Sequence, residues 1–181
     1  MNTRLFCLGI SAKVLLSLLL EINKSVKEKT VVELDDMKSI ILLSHLTDPM
    51  LQKLAEITLT AEYKAGDYIF KEGTYARYLY AIIEGKVGLE LEKTVNNVIL
   101  IDTVGRGRTI GFSALVDTEQ KKYVTHARAL EDTKLFVWDA TELEMLFYKD
   151  YEMGYLFMKR IAKIAKTRLQ IRNVQFLDIY V

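Results

Sequence analysis

Cysteine occurs once in this 181-residue chain, at Cys7. A lone thiol cannot close an intramolecular disulfide, so a reducing compartment and cytoplasmic localisation are the expected setting. It also excludes a cysteine-based zinc or iron–sulfur site built from this chain alone. Proline occurs once, at Pro49, and glycine nine times, too few for a linker-rich or low-complexity architecture. Net charge is scarce too: 25 Lys and Arg against 24 Asp and Glu leave +1. That balance gives no overall push toward nucleic acid or an anionic membrane, and neither is expected as a partner. Histidine is limited to His45 and His126. A metal-dependent jelly roll needs several clustered His and carboxylate ligands, and a haem sensor needs a supported axial ligand, so no metal is expected. No Ser–His–Asp or Cys–His arrangement stands in a nameable context, so no catalytic residue is expected, and Ser113 reads as a helix-cap donor. Apolar residues are plentiful at 50%, ample for a packed core. At ~150 residues per domain, one domain plus an extension is expected.

The extension falls at the amino terminus. Residues 5–20 are mostly apolar after Arg4, which invites a signal-peptide or membrane reading. The run is shorter than the ~20 residues a spanning helix needs, Lys13 interrupts it, and no small-x-small cleavage site follows. The expectation is a helical segment over residues 1–36 packed on the body or on a partner. A natural start at Met37 is a further reading.

The middle reads as strands. Met37 to Leu46 predicts a short helix, and Asp48-Pro49 starts another, with the Asp capping free N–H groups and Pro suited to the first turn. Met50, Leu51, Leu54 and Ile57 recur at helical spacing. From Tyr63 the pattern changes. Turns at 64–67 and 71–73 flank Tyr68-Ile69-Phe70. Leu79 to Ile83 is a continuous apolar run ended by Glu84-Gly85-Lys86. Val87, Leu89 and Leu91 alternate with Gly88, Glu90 and Glu92, as in a half-buried strand. Asn96-Asn97 reads as a turn, and Val98–Val104, Thr125–Ala129 and Leu135–Trp138 as strands. Many short strands without long intervening helices imply an antiparallel barrel or sandwich. The spacing Gly105-x-Gly107-x-x-x-Gly111 is not that of a dinucleotide loop.

The carboxyl end returns to helix. Asp139 to Glu142 resembles a capping box, and Asp150 caps a last long helix from about Tyr151 to Asp178. Phe157, Ile161, Ile164 and Ile171 form one stripe, and Met158, Ala162, Ala165, Leu169 and Phe176 a second. Lys159, Arg160, Lys163, Lys166 and Arg172 fill much of the rest and read as a solvated face. So wide an apolar face predicts a homodimer through this helix.

These elements carry a resemblance. Gly66-Asp67-x-Ile69-Phe70-x-Glu72-Gly73, Leu79-Tyr80-x-Ile82-Ile83-x-Gly85-x-Val87, Gly107-x-x-Ile110-Gly111 and Ala129 to Thr133 follow one another as in the cyclic nucleotide-binding domain of the catabolite activator (Crp/Fnr-like) superfamily. The chain resembles that family from about Met37 onward. The resemblance implies a mainly β fold with flanking helices: a double-stranded β-helix, or RmlC-like jelly roll, with N-terminal helices and a long C-terminal helix. The implied organisation is an extension over 1–36, a barrel over 37–150, and a dimerisation or signalling helix over 151–181. The resemblance also implies a non-catalytic, ligand-sensing regulatory role in signal transduction, with cAMP, cGMP or another nucleotide-like anion as the ligand class and an unknown protein partner.

Family members have Gly-Glu-aliphatic-small-Leu in the phosphate cassette, followed later by Arg-small-Ala. N–H groups after the glycine face the cyclic phosphate, the Arg fork-binds it, and the Glu accepts from the ribose hydroxyl. Here the cassette is Gly111-Phe112-Ser113-Ala114-Leu115-Val116, similar to a Gly-aromatic-Ser-Ala-Leu-Val variant of short stand-alone prokaryotic members. Gly111, Ala114 and Leu115 match. Phe112 stands at the Glu position. The Arg position falls on Tyr123, followed by Val124-Thr125, or on Lys122 when counted forward from Gly111. Losing the Arg–phosphate bond costs ~1.5–3 kcal/mol, and losing the ribose bond a similar amount. Together these are about a hundredfold to ten-thousandfold in affinity. Lys121 or Lys122 could supply point-charge attraction without the planar fork. Two readings follow: a pocket altered toward a flatter or less polar ligand, and a disused pocket in a dimeric interaction scaffold. A DNA-binding regulator is the third hypothesis; family regulators place a helix-turn-helix after the long helix, where this sequence ends.

Overall fold

The computed structural model describes residues 26–27, 32–94, 97–116 and 120–178. The apolar run at 5–20, Cys7, Lys13 and Asn96 lie outside them, as do the side chains of Arg172 and Phe176. Strands β1 (Val26–Lys27), β2 (Leu59–Tyr63), β9 (Thr133–Asp139), β4 (Tyr78–Glu84) and β7 (Thr109–Ile110) form one sheet in that spatial order. Strands β3 (Tyr68–Phe70), β8 (His126–Ala129), β5 (Lys86–Thr94) and β6 (Asn97–Gly105) form the second. All pairings are antiparallel. Helices α1 (Leu34–Lys38), α2 (Asp48–Glu56), α3 (Ala140–Lys149) and α4 (Tyr151–Asp178) flank this jelly roll. The mainly β architecture with a long last helix is the one expected.

The first sheet is covered on both faces, which explains why β4 and β9 read as unbroken apolar runs rather than alternating ones. From β4, Tyr80 and Ile82 point between the sheets, while Leu79, Ala81 and Ile83 meet the helices. From β9, Leu135 and Val137 point inward, and Phe136 and Trp138 outward. Trp138 is fully buried and donates its indole N–H to Thr58 Oγ1 at 2.7 Å; that hydroxyl in turn donates to the Leu54 carbonyl at 2.7 Å. A buried Trp is thus satisfied by a hydroxyl placed at the end of α2.

Departures from the sequence reading have identifiable physical causes. The helix expected over Met37 to Leu46 is split into α1 and a 3₁₀ turn at Ile41–Leu43. The Ser39 hydroxyl donates to Asp36 O, and the Ile41 N–H donates across to Gly107 O, so the chain leaves the helical ladder. Thr47, not Asp48, is the N-cap of α2; the Asp48 carboxylate pairs with Lys38 at 2.9 Å. Strands β1, β2 and β7 depart from the sequence reading: β1 pairs with β2 inside the stretch expected to be helical, β2 follows α2 almost directly, and β7 is two residues long. In β5, Val87 and Leu89 are buried as expected, but so is Glu90. The β5–β6 register shifts at Leu89/Glu90, and Arg128 Nε reaches Glu90 Oε1 at 2.8 Å. That charge-assisted bond is what lets a carboxylate sit there.

Candidate ligand-binding cassette

The cassette turn forms. Gly111 lies at φ +85° and opens a 3₁₀ turn over Phe112–Ala114, with Ala114 N–H donating to Gly111 O and Leu115 N–H to Phe112 O, both at 3.0 Å. A Cβ at Gly111 would meet Tyr78 O at 2.8 Å, so both backbone angle and close approach require glycine. Ser113 lies inside this turn, half-buried, rather than capping it: the N-cap is Gly111, without a side-chain cap bond.

Tyr123, one of the two positions to which the resemblance assigns the family's arginine, turns into the barrel and is only 5% exposed. Its ring stacks on Phe70 with centroids 3.9 Å apart and planes 14° apart, and Phe70 stacks on Tyr80 at 5.7 Å. Its hydroxyl donates to Tyr78 O at 2.8 Å and accepts from Tyr78 N–H at 3.0 Å. Burial pushes the Tyr123 phenol up to about 12, partly offset by the Tyr78 N–H it accepts from. Burial likewise raises Tyr80 well above the ordinary phenol range. The interior that the resemblance assigns to a nucleotide phosphate is therefore lined here by a neutral aromatic stack whose polar tip is satisfied by backbone.

Lys122 does not join Tyr123 in the interior: it is exposed, and its backbone pairs with that of Tyr75 in an isolated antiparallel bridge. Lys121 turns toward Glu144 on α3, at 3.4 Å. Val124 is 70% exposed, and Thr125 is half-buried. Of the candidate residues, then, Gly111 and Tyr123 converge on the Tyr78 backbone, while Phe112 and Leu115 pack toward the helix-side core. An open cleft of about 420 Å³ lies elsewhere, between Tyr75–Arg77, Lys121 and the first turn of α3.

Sequence reasoning missed Arg168. From α4 its guanidinium sits 5.1 Å from the Phe112 ring centroid, and its Nη2 donates to Thr109 O at 2.9 Å. The signal was present: Arg168 follows Phe157, Ile161 and Ile164 at helical spacing, so a cation continues the stripe that packs on the barrel. That stripe is buried at Met153, Phe157 and Ile161 and half-buried at Ile164. The second stripe is exposed at Met158, Ala162, Ala165 and Leu169, as is Ile171. Of the expected cationic face, Arg160 donates to Ile41 O at 3.1 Å and lies 3.5 Å from His45. His126 accepts from Glu72 N–H at 3.1 Å. Among the described residues no helix is long and apolar enough to cross a membrane.

Comparison with known proteins agrees with this architecture. The cyclic nucleotide-binding domain family model matches residues 60–150. The chain is 29% identical over 87 residues to the cGMP-dependent protein kinase, isozyme 1, of Drosophila melanogaster, covering 47% of this chain but 11% of that kinase. A cyclic nucleotide-binding domain from Methylobacillus flagellatus KT superposes with a TM-score of 0.68 at 19% identity, covering 80% of each chain. The guanosine-bound regulatory subunit of a cAMP-independent protein kinase A from Trypanosoma cruzi gives a TM-score of 0.63 at 17% identity, over 74% of this chain and 44% of that one. With the jelly roll, the cassette turn and a matched segment that includes both Gly111 and Tyr123, the chain belongs to the cyclic nucleotide-binding domain family.

Proposed function

We propose that this chain is a non-catalytic, ligand-sensing regulatory module whose cyclic-nucleotide specificity has been altered or lost, and which signals through α4. The observation that carries the reading is Tyr123: buried, stacked on Phe70, and bonded at its hydroxyl to both polar groups of the Tyr78 backbone. An anionic phosphate brought against this stack would lose water without gaining a guanidinium from position 123, an unfavourable exchange. Phe112 removes the carboxylate that would hold a ribose hydroxyl. A flat, less polar ligand is the chemistry such a lining suits; the guanosine held by the Trypanosoma cruzi relative is a nucleoside without a phosphate.

A second reading, a ligand-free dimeric scaffold, is supported by the exposed apolar side chains Met158, Leu169 and Ile171 on α4. A thermal-shift panel separates the two. Cyclic mononucleotides, cyclic dinucleotides, nucleotides and nucleosides are tested at up to millimolar concentration, where any ligand bound in the folded state alone raises Tm by mass action. The sensor reading expects no shift with cAMP or cGMP and a shift with another member. Silence across the whole panel favours the scaffold, and a strong cAMP shift removes the claim of changed specificity.

A further inference from the structure

We infer that Arg168 is a built-in clasp that holds α4 docked on the cassette, with Phe112 as its receiver. The inference rests on the sensor reading above and names the regulation of that same site.

Three observations carry it. The Arg168 guanidinium stands 5.1 Å from the Phe112 ring centroid and donates to the Thr109 carbonyl at 2.9 Å, 59 residues away in sequence. An arginine over an aromatic face with one donor on a backbone carbonyl is a directional contact, not a solvated cation resting on the surface. Second, Arg168 sits where the docking of α4 ends. Phe157 and Ile161 are buried, Ile164 is half-buried against the helix-side core, and the side chains at 169, 170, 171 and 173 are exposed. The apolar stripe therefore seats the first half of the helix, and the guanidinium fastens its next turn. Third, both receiving groups belong to the cassette segment: Thr109 lies in β7, paired with Ala81 of β4, and Phe112 opens the 3₁₀ turn. Phe112 is thereby given a positive role. It presents a π-face to the last helix, where a glutamate would present a carboxylate to a ribose.

Movement of the cassette must alter this contact, because ring and carbonyl are both part of it. A ligand that shifts Phe112 or competes for the guanidinium would release the distal turns of α4, and a partner reading α4 would sense that release.

Amide hydrogen exchange tests the clasp directly. The full chain is compared with Arg168→Met, which keeps an unbranched stem and removes the charge, and with Phe112→Leu, which keeps apolar packing and removes the ring. Sedimentation verifies that all samples share one oligomeric state. Exchange over residues 162–172 is expected to accelerate about fivefold to tenfold in both variants, an opening on the order of one decade in the local equilibrium. Strands β4 and β9 should be unchanged. Arg168→Lys should restore part of the protection, since an ammonium keeps the cation–π attraction but not the fork. Unchanged exchange over 162–172 in Arg168→Met, with β4 and β9 intact, overturns the clasp. Acceleration throughout the barrel overturns it as well, since Arg168 would then be a general stability residue. Affinity of the wild-type chain for cAMP would sink the altered-specificity reading while leaving this result standing, so the two failures are distinguishable.

Discussion

At the residue scale, Tyr123 carries the proposed change of specificity. A phenol at the arginine position could simply have pointed to solvent. Instead it closes on the Tyr78 backbone and stacks on Phe70, so it contributes to the fold. Tyr123→Phe would leave the part-buried Tyr78 N–H and carbonyl without this partner, at a cost of about 1–3 kcal/mol, read as a lower urea midpoint at unchanged slope. The pH dependence has a definite sign. The folded phenol is held up at about 12, while an unfolded tyrosine releases its proton near ~10, so the unfolded state binds fewer protons across that window. Stability is fully present below about pH 10 and falls as pH rises toward 12. In an ultraviolet phenolate titration of the ten tyrosines, Tyr123 should be among the last to ionise, and Tyr123→Phe should remove one late step. Ionisation of every tyrosine near the ordinary value in the folded protein would show that this phenol is not buried as described.

At the scale of elements, the proposed sensing role rests on the cassette turn and α4. Gly111 at φ +85° faces the Tyr78 carbonyl, which cannot give way without breaking β4. Gly111→Ala therefore combines a left-handed backbone penalty of ~1–2 kcal/mol with a steric clash. The expected outcome is a Tm drop of several degrees; an unchanged Tm would mean the turn is not held as described. The same elements show what was legible beforehand. Strands β4, β5, β8 and β9 and the long helix are carried by apolar runs, alternation and turn residues within a few positions, so the sequence displays them. Asp150 caps α4 as anticipated, its Oδ1 accepting from Met153 N–H at 3.1 Å, because capping is a local bond. The split of the helix expected over Met37 to Leu46 was hidden, since it depends on Gly107 accepting from Ile41. The burial of Glu90 was hidden for the same reason: the register shift and Arg128 that permit it come from β6 and β8. The cassette could be located from Gly111, Ala114 and Leu115. The inward turn of Tyr123, the outward position of Lys122 and the reach of Arg168 are products of packing between distant segments.

At the scale of the whole molecule, one jelly roll buries two cores, one between the sheets and one under the helices, and the cassette joins them. Tyr123 belongs to the first core, and Phe112 and Leu115 border the second. A change at the cassette is thus positioned to be felt by both the barrel interior and α4. The exposed apolar residues on α4 suit a second copy or another protein, and the proposed homodimer belongs at this scale. The central proposal is narrower: where the family resemblance places a phosphate-binding guanidinium, this interior presents a neutral aromatic stack. Isothermal titration of cAMP and cGMP into the full chain tests it most directly. The account predicts no saturable heat below millimolar concentration for either nucleotide. Micromolar, stoichiometric binding of either one would contradict it.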